Sequence, residues 1–315
     1  MEQGCRKTGL RKSENVEKTT LYPLVQFKKD TWEIDEFDNA SAFLLVGSEK
    51  ALLIDTGCGI GDMRGLVESI TDRPVTVVLS SGSKDHTGHI RQFEDVYVNE
   101  ADPVEEYSAG ELRKSAEQIR IRQIDSVGSG MYSAYPLCSY DPDTDITGPE
   151  GPLPLFRTLK DGDRFDLGGG RVVEVYAAPG STRGQMMLLD PFSGSLFAGN
   201  ALNYYMELGA VDAEESLRYV EKMESLSNRY DGIYNSHHDF RALGAPLKED
   251  CLPALRSMLQ QIMDGTYRLT YVPGFFGPAA KEPAKLMLCA DRSFLRFPGL
   301  EDPKMQKMTG REVEQ

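Results

Sequence analysis

The chain has 315 residues and carries 49 Asp and Glu against 35 Lys and Arg, a formal net charge of −14. A chain of this length buries a large core, and 40% hydrophobic content with 9% aromatic residues excludes a disordered or fibrous protein. The acidic balance argues against a nucleic-acid backbone or an anionic membrane surface as partner. A small-molecule substrate or ligand is the expectation, with a homodimer left open. No stretch approaches the roughly 18 uninterrupted apolar residues of a membrane span. The charged start MEQGCRKTGLRKSENVEK has no apolar core of a secretory signal. The five cysteines (5, 58, 138, 251, 289) are scattered, odd in number and not in CxxC pairs. They read as reduced thiols of a cytoplasmic protein.

Residues 1–18 read as a polar tail, 19–300 as one domain, and 301–315 as a second polar tail. TLYPLVQFKKDTWEID has aromatic and β-branched residues at strand spacing. SAFLLVGS and KALLIDTG are apolar runs joined by a turn at Gly47-Ser48-Glu49-Lys50, a hairpin signal. GDMRGLVESIT places Met63, Leu66, Val67 and Ile70 on one helical stripe. PVTVVLSS reads as a central buried strand, HIRQF as the start of a second short helix, and DVYVNE as a further strand. A helix follows over about 103–124, then a Gly-, Pro- and Asp-rich loop to 154; together, residues 101–155 form an insertion that reads as a lid.

A second block repeats the alternation. VVEVYAAPG, QMMLLDP and SLFAGN are strands, and the helix over 212–228 has Asp212 as its N-cap. GIYNS runs into His237 and His238. A helix over about 248–264 precedes the strand-like LTYV, KLMLCA and SFLRF. Two successive strand–helix blocks fit two layered sheets with helices outside.

The chain has four histidines, and they fall in two clusters, His86 with His89 and His237 with His238. The segments LLIDTG, VVLSSGSKDHTGH, AAPGSTRGQ, LFAGNAL and IYNSHH, in this order and spacing, resemble the metallo-β-lactamase superfamily across roughly residues 22–300. The resemblance implies an α/β fold, an αββα sandwich of two mixed sheets flanked by helices, with an active site of loops at one sheet edge. It also implies a hydrolase acting on a small ester, thioester or lactone.

The metal ligands depart from that pattern. Where the family has His-x-His-x-Asp-His, this chain has Ser81, Ser83, Asp85 and His86. The His of the family's Pro-Gly-His turn is Ser181, the bridging Asp is Asn200, and the last ligand His matches His237. The three positions of the family's first metal are therefore serines, poor zinc ligands beside imidazole. Asp85, His86 and His237, with the amide of Asn200, keep most of the second. Two readings follow: a single divalent metal, zinc or iron, activating water at the second site, or no metal and a hydrogen-bonded network in its place. In the second, Ser81, Ser83 or Ser181 beside a His with Asp85 has the parts of a nucleophile–base pair, or the pocket only binds a ligand or partner without catalysis. Asp55 is expected behind the histidine-bearing loop, His89 as a supporting, surface or helix-cap residue with a substitute ligand as the alternative, and His238 facing away from His237. Lys84, Tyr132, Tyr135 and Tyr204 are candidate pocket residues, Lys84 with an outward alternative and the loop tyrosines with a packing one.

Overall fold

The structure is a computed structural model that describes residues 17–128, 140–237, 241–272 and 285–300. Tyr132, Tyr135 and His238 lie outside the described residues, as do the C-terminal tail and nearly all of the N-terminal one.

The first run of the sequence is a hairpin, β1 (Leu24–Lys28) and β2 (Thr31–Asp35), which continues antiparallel into β3 (Ser41–Val46) and β4 (Ala51–Ile54). After helix α1 (Met63–Ile70), the strands β5 (Val75–Val78), β6 (Asp95–Val98) and β7 (Leu155–Thr158) add in parallel. The result is a seven-stranded sheet in sequence order. Helices α2 (Ala109–Gly128) and α3 (Pro142–Asp145) lie between β6 and β7 in the chain. HIRQF gives only a 3₁₀ turn at Ile90–Gln92, in place of the short helix.

The second sheet takes β8 (Arg164–Asp166), β9 (Val172–Ala177), β10 (Met186–Asp190), β11 (Ser195–Gly199) and β13 (Gly232–Asn235), in the order 13-11-10-9-8. Strand β12 (Tyr205–Glu207) leaves it, and helix α4 (Ala213–Ser225) leads back to β13. Asp212 caps α4 as the sequence suggests, its carboxylate accepting the Glu215 N–H at 2.8 Å. Helix α5 (Cys251–Met263) follows, then β14 (Leu269–Val272), β15 (Lys285–Ala290) and β16 (Ser293–Arg296). These last three strands pair with β12 as a small third sheet of four strands, an addition to the two that the sequence implies.

Residue alternation sets the layers. Phe43, Leu45, Leu52 and Ile54 face the second sheet and pack on Val173, Val175, Leu188, Phe197 and Tyr234. Their neighbours Leu44 and Leu53 point outward onto Met63, Leu66 and Val67 of α1. Met187, Leu189, Leu196 and Ala198 cover the other face of the second sheet with α4 and α5, through Leu217, Val220, Leu255 and Met258. Both sheets are covered on both faces, which is why these strands read as continuous apolar runs. The order is helix, sheet, sheet, helix. Among the described residues no helix is long and apolar enough to cross a membrane.

At one end of the sandwich Arg171, buried to 1%, binds Asp190 of β10 at 2.6 Å and the carbonyls of Asp30 and Val46 from the first sheet. At the other end the carboxyl ends of β4, β5, β6, β11 and β13 converge, and their loops build the site.

Candidate active site

Asp55 is the residue after β4. It sits at φ 62°, a left-handed conformation that Asp tolerates better than most side chains, and it is 1% exposed. Its carboxylate accepts the Ser80 N–H and the Ser80 hydroxyl, both at 2.7 Å, and the Ser236 hydroxyl at 3.2 Å. The fourth partner is His86 Nδ1 at 2.8 Å. One side chain thus joins the ends of β4, β5 and β13 and aims the His86 ring. The backbone helps: the Thr56 N–H and hydroxyl both bond the His86 carbonyl, and the Gly88 N–H bonds the Gly57 carbonyl. A Cβ at Gly88 would lie 1.9 Å from the Cys58 carbonyl carbon, so this approach requires glycine.

His237 is held as firmly. The Asn235 amide donates to the His237 carbonyl, and Arg241 Nε donates to Asn235 Oδ1 at 2.7 Å. Arg241 is in turn a bidentate partner of buried Glu33, at 2.6 and 2.9 Å. The His237 ring reaches the Asn39 carbonyl through Nδ1 at 3.1 Å. Both imidazoles therefore have Nδ1 committed and turn Nε2 inward, an arrangement that fixes tautomer and aim.

The inward groups meet on one atom, Asp85 Oδ2. His237 Nε2 lies 3.0 Å from it, Asn200 Nδ2 3.1 Å and His86 Nε2 3.3 Å. Asn200 Nδ2 is also 2.8 Å from His86 Nε2. Burial disfavours charge on Asp85, but the charge of His86 and the hydrogen bonds of both histidines outweigh it and hold the carboxyl well below its usual range. Burial likewise opposes a cationic His86, but the flanking carboxylates of Asp55 and Asp85 outweigh it and push the imidazole well above its usual value. The Asn200 amide can serve either state. Its NH₂ turned inward suits a bare Nε2; its oxygen turned inward suits Nε2–H or a cation.

The serines occupy the adjoining region. Ser81 Oγ and Ser83 Oγ are 2.9 Å apart, and Ser81 Oγ is 3.4 Å from Thr182 Oγ1. Ser181 donates to Gln185 Oε1 at 2.8 Å. Among the described residues, none of these three serines hydrogen-bonds an imidazole. The serine in contact with His86 is Ser80, at 3.4 Å, and its proton is already given to Asp55. A serine–histidine nucleophile pair is therefore not assembled by Ser81, Ser83 or Ser181.

Other sequence expectations fall as follows. His89 is not a surface residue: it is 3% exposed, it stands at the N-cap position of the Ile90–Gln92 turn without a side-chain capping bond, and its Nε2 bonds Glu36 Oε1 at 3.0 Å. Glu36 also accepts the N–H groups of Cys58, Gly59 and Ile60, at 2.6 to 2.8 Å, fixing the loop after Asp55. Cys58 is a buried thiol pushed upward by burial, in keeping with a packing role. Lys84 is committed to Glu111 at 2.8 Å and lies over the Tyr107 ring. Tyr204 is not a pocket residue: at 1% exposure it belongs to the core against α4 and α5, and its hydroxyl accepts the Lys248 N–H at 2.8 Å. Glu36, Asn39, Asp102 and Arg241, which do much of the positioning, carry no motif that singles them out.

The donor chemistry decides what metal the residues suit. Three hydroxyls, Ser81 and Ser83 bonded to each other, Ser81 also near Thr182, and Ser181 bonded to Gln185, do not suit the family's first metal. Among the described residues no group of three or more His, Cys, Asp or Glu is spaced to hold an ion. At the second position two Nε2 atoms and one carboxylate are donor types that a single cation takes, but here they bond one another and are not spaced for one. The Asn200 amide now stands among them, so accommodation requires it to turn its oxygen inward.

Residues 35–243 match the metallo-beta-lactamase superfamily, two thirds of the chain, and the chain belongs to that superfamily. A 174-residue stretch is 25% identical to the acyl-coenzyme A thioesterase MBLAC2 of Gallus gallus, covering 52% of this chain and 58% of that protein. The chain thus spans a little over half the length of this relative. Among solved structures, the stereoselective inverting sec-alkylsulfatase Pisa1 of Pseudomonas sp. is similar in fold at 17% identity and TM-score 0.50, covering 78% of this chain and 42% of that one. A metallo-beta-lactamase from Pontibacter korlensis matches at 17% identity and TM-score 0.49, covering 76% and 99%.

Proposed function

We propose that the chain is a hydrolase-like enzyme acting on a small thioester or related acyl ester, at a pocket that takes at most one divalent metal, zinc or iron. The observation that carries this reading is the convergence of His86 Nε2, His237 Nε2 and Asn200 on Asp85 Oδ2, with both Nδ1 atoms anchored behind. The acyl class is supported by the superfamily and by the thioesterase relative. Asp85, His86 and His237 would hold the metal, with the Asn200 oxygen as a neutral fourth donor. A divalent metal held there would supply Lewis acidity toward an acyl carbonyl and a water. The chain's own groups do the rest. Asp55 and the Asn39 carbonyl orient the imidazoles, and the Ser81 and Ser83 hydroxyls offer hydrogen bonds to the substrate's polar atoms.

A second reading is favoured by one contact, the 2.8 Å approach of the Asn200 amide to His86 Nε2, which closes the network with no cation at all. In that case the pocket binds a small ligand, or a partner protein, without hydrolysis.

Two measurements on the full chain, purified without chelator, separate these. The first is metal content per chain. The second is release of free thiol from a panel of acyl-coenzyme A esters, with p-nitrophenyl esters and lactones alongside. Thiol release that is lost in Asp85→Ala and His237→Ala, with unchanged circular dichroism, is the expected outcome. No turnover of any acyl probe by a folded protein would reject the hydrolase reading.

A further inference from the structure

The second loop pair of the pocket is joined by a residue that the proposed reaction does not use. Asp102 follows β6 in a tight turn, with its N–H on the Asn99 carbonyl at 3.1 Å, and is 5% exposed. Asn99 stiffens that turn by donating to the Leu159 carbonyl and accepting the Ala101 N–H. The Asp102 carboxylate then reaches two other loops. Oδ2 accepts the Gly82 N–H at 3.1 Å and the Thr182 hydroxyl at 2.6 Å; Oδ1 accepts the Gly184 N–H at 2.6 Å.

We propose that Asp102 is a positioning residue whose buried carboxylate clamps the Ser81–Ser83 loop to the Ser181–Gly184 loop and so sets the hydroxyl-lined half of the pocket. Both loops are built for the approach. A Cβ at Gly184 would lie 2.8 Å from the Asp102 Cγ, and one at Gly82 would lie 3.1 Å from its Cβ and 2.4 Å from the Pro103 carbonyl oxygen. The clamp also orders the hydroxyls. Thr182 gives its proton to Asp102, so its oxygen is left to accept from Ser81, 3.4 Å away, and Ser81 Oγ accepts the Ser83 N–H at 3.2 Å.

The chemistry calls for a carboxylate. All three partners are donors, and an Asn offers one acceptor oxygen and a competing NH₂ in the same volume. A buried donor left without an acceptor is costly, so a loop that loses one opens more often. The clamp does not depend on which substrate the pocket takes, nor on whether a metal binds.

The test is amide hydrogen exchange on the full chain, comparing Asp102→Asn, Asp102→Glu and wild type. Asp102→Asn should raise exchange about tenfold or more in segments 80–84 and 181–185 together, the loss of roughly one buried hydrogen bond. Exchange in β10 and β11 should be unchanged, and Asp102→Glu, which keeps both acceptor oxygens, should recover part of the protection. Should Asp102→Asn fail to fold, Thr182→Val removes one of the three donors and should show the same coupled rise, smaller in size. An Asn variant as protected as wild type, a rise in one loop only, or a rise spread evenly into β10 and β11 would overturn the proposal.

Discussion

Ser80 and Ser81 are neighbours in sequence, yet they belong to two differently built halves of one pocket. Ser80 sits in a web of charge: its N–H and hydroxyl both end on Asp55, which holds His86, which faces Asp85 and through it His237. Ser81 sits in a web of neutral groups: Ser83, Thr182 and, behind them, the clamp of Asp102. The lesson is that loss of imidazoles need not loosen a site. Where ligand positions became serines, a buried carboxylate supplies the cross-link; where acid and imidazole remain, their own attraction does.

The charged half should be the more sensitive to mutation. Asp55→Ala strands the Ser80 N–H and hydroxyl, the Ser236 hydroxyl and the His86 Nδ1–H together. The expected cost is about 3–5 kcal/mol, the range for breaking a buried charged network, read as a fall in the urea midpoint. The same network gives stability a pH dependence. His86 is raised from 6.5, so its contribution is full below about pH 6.5 and is lost as pH climbs through the raised value. Asp85 is lowered from 3.8, so its contribution is full above about pH 3.8 and is lost as pH falls through the depressed value. Stability from the pair therefore has a plateau between these limits. Asp85→Asn should flatten the acid flank and His86→Gln the alkaline one, in unfolding curves taken across the range.

Asn200→Asp tests where the halves join. It replaces a neutral amide with a carboxylate beside two Nε2 atoms and Asp85, which strengthens the set for a divalent cation. Zinc affinity by calorimetry should rise about 10–100-fold, the size of effect that changes around a metal centre commonly bring. Equal affinity in wild type and variant would show that the amide is no barrier to the metal. In the neutral half, Ser81→Ala should cost about 1–2 kcal/mol, because it removes one buried hydroxyl that accepts the Ser83 N–H but leaves the Asp102 clamp in place.

Much of the fold was legible because the strands are covered on both faces. Runs such as SAFLLV and MMLLD announce themselves, and the motif order around LLIDTG and SSGSKDHTGH placed the loops. The convergence on Asp85 was legible too, since Asp85, His86, Asn200 and His237 stand at family ligand positions. What escaped were groups defined by contact alone. Glu36 and His89 lie 53 positions apart and meet as a buried pair, and Asp102 meets Thr182 across 80 positions. Nothing local to either sequence marks such a partner. Tyr204 misled for the converse reason: it lies four residues beyond Asn200, near the site in sequence, but its ring turns into the core.

Lys84 supplies the finest test of the comparison, because it is the cation closest in sequence to both halves, between Ser83 and Asp85. Its amine is held by Glu111 at 2.8 Å over the Tyr107 ring, and Lys84 and Ser108 together draw the Glu111 carboxyl down to about 2. A pocket cation free to meet an acyl substrate would not be spent in this way. Both side chains are solvent-accessible, where such pairs contribute little to stability. Lys84→Ala should therefore leave the urea midpoint nearly unchanged, and it should leave the KM for any acyl substrate within about twofold, under half a kcal/mol. A large rise in KM at unchanged kcat would place Lys84 on the substrate and would move the positive side of the pocket from the imidazoles to the loop after β5.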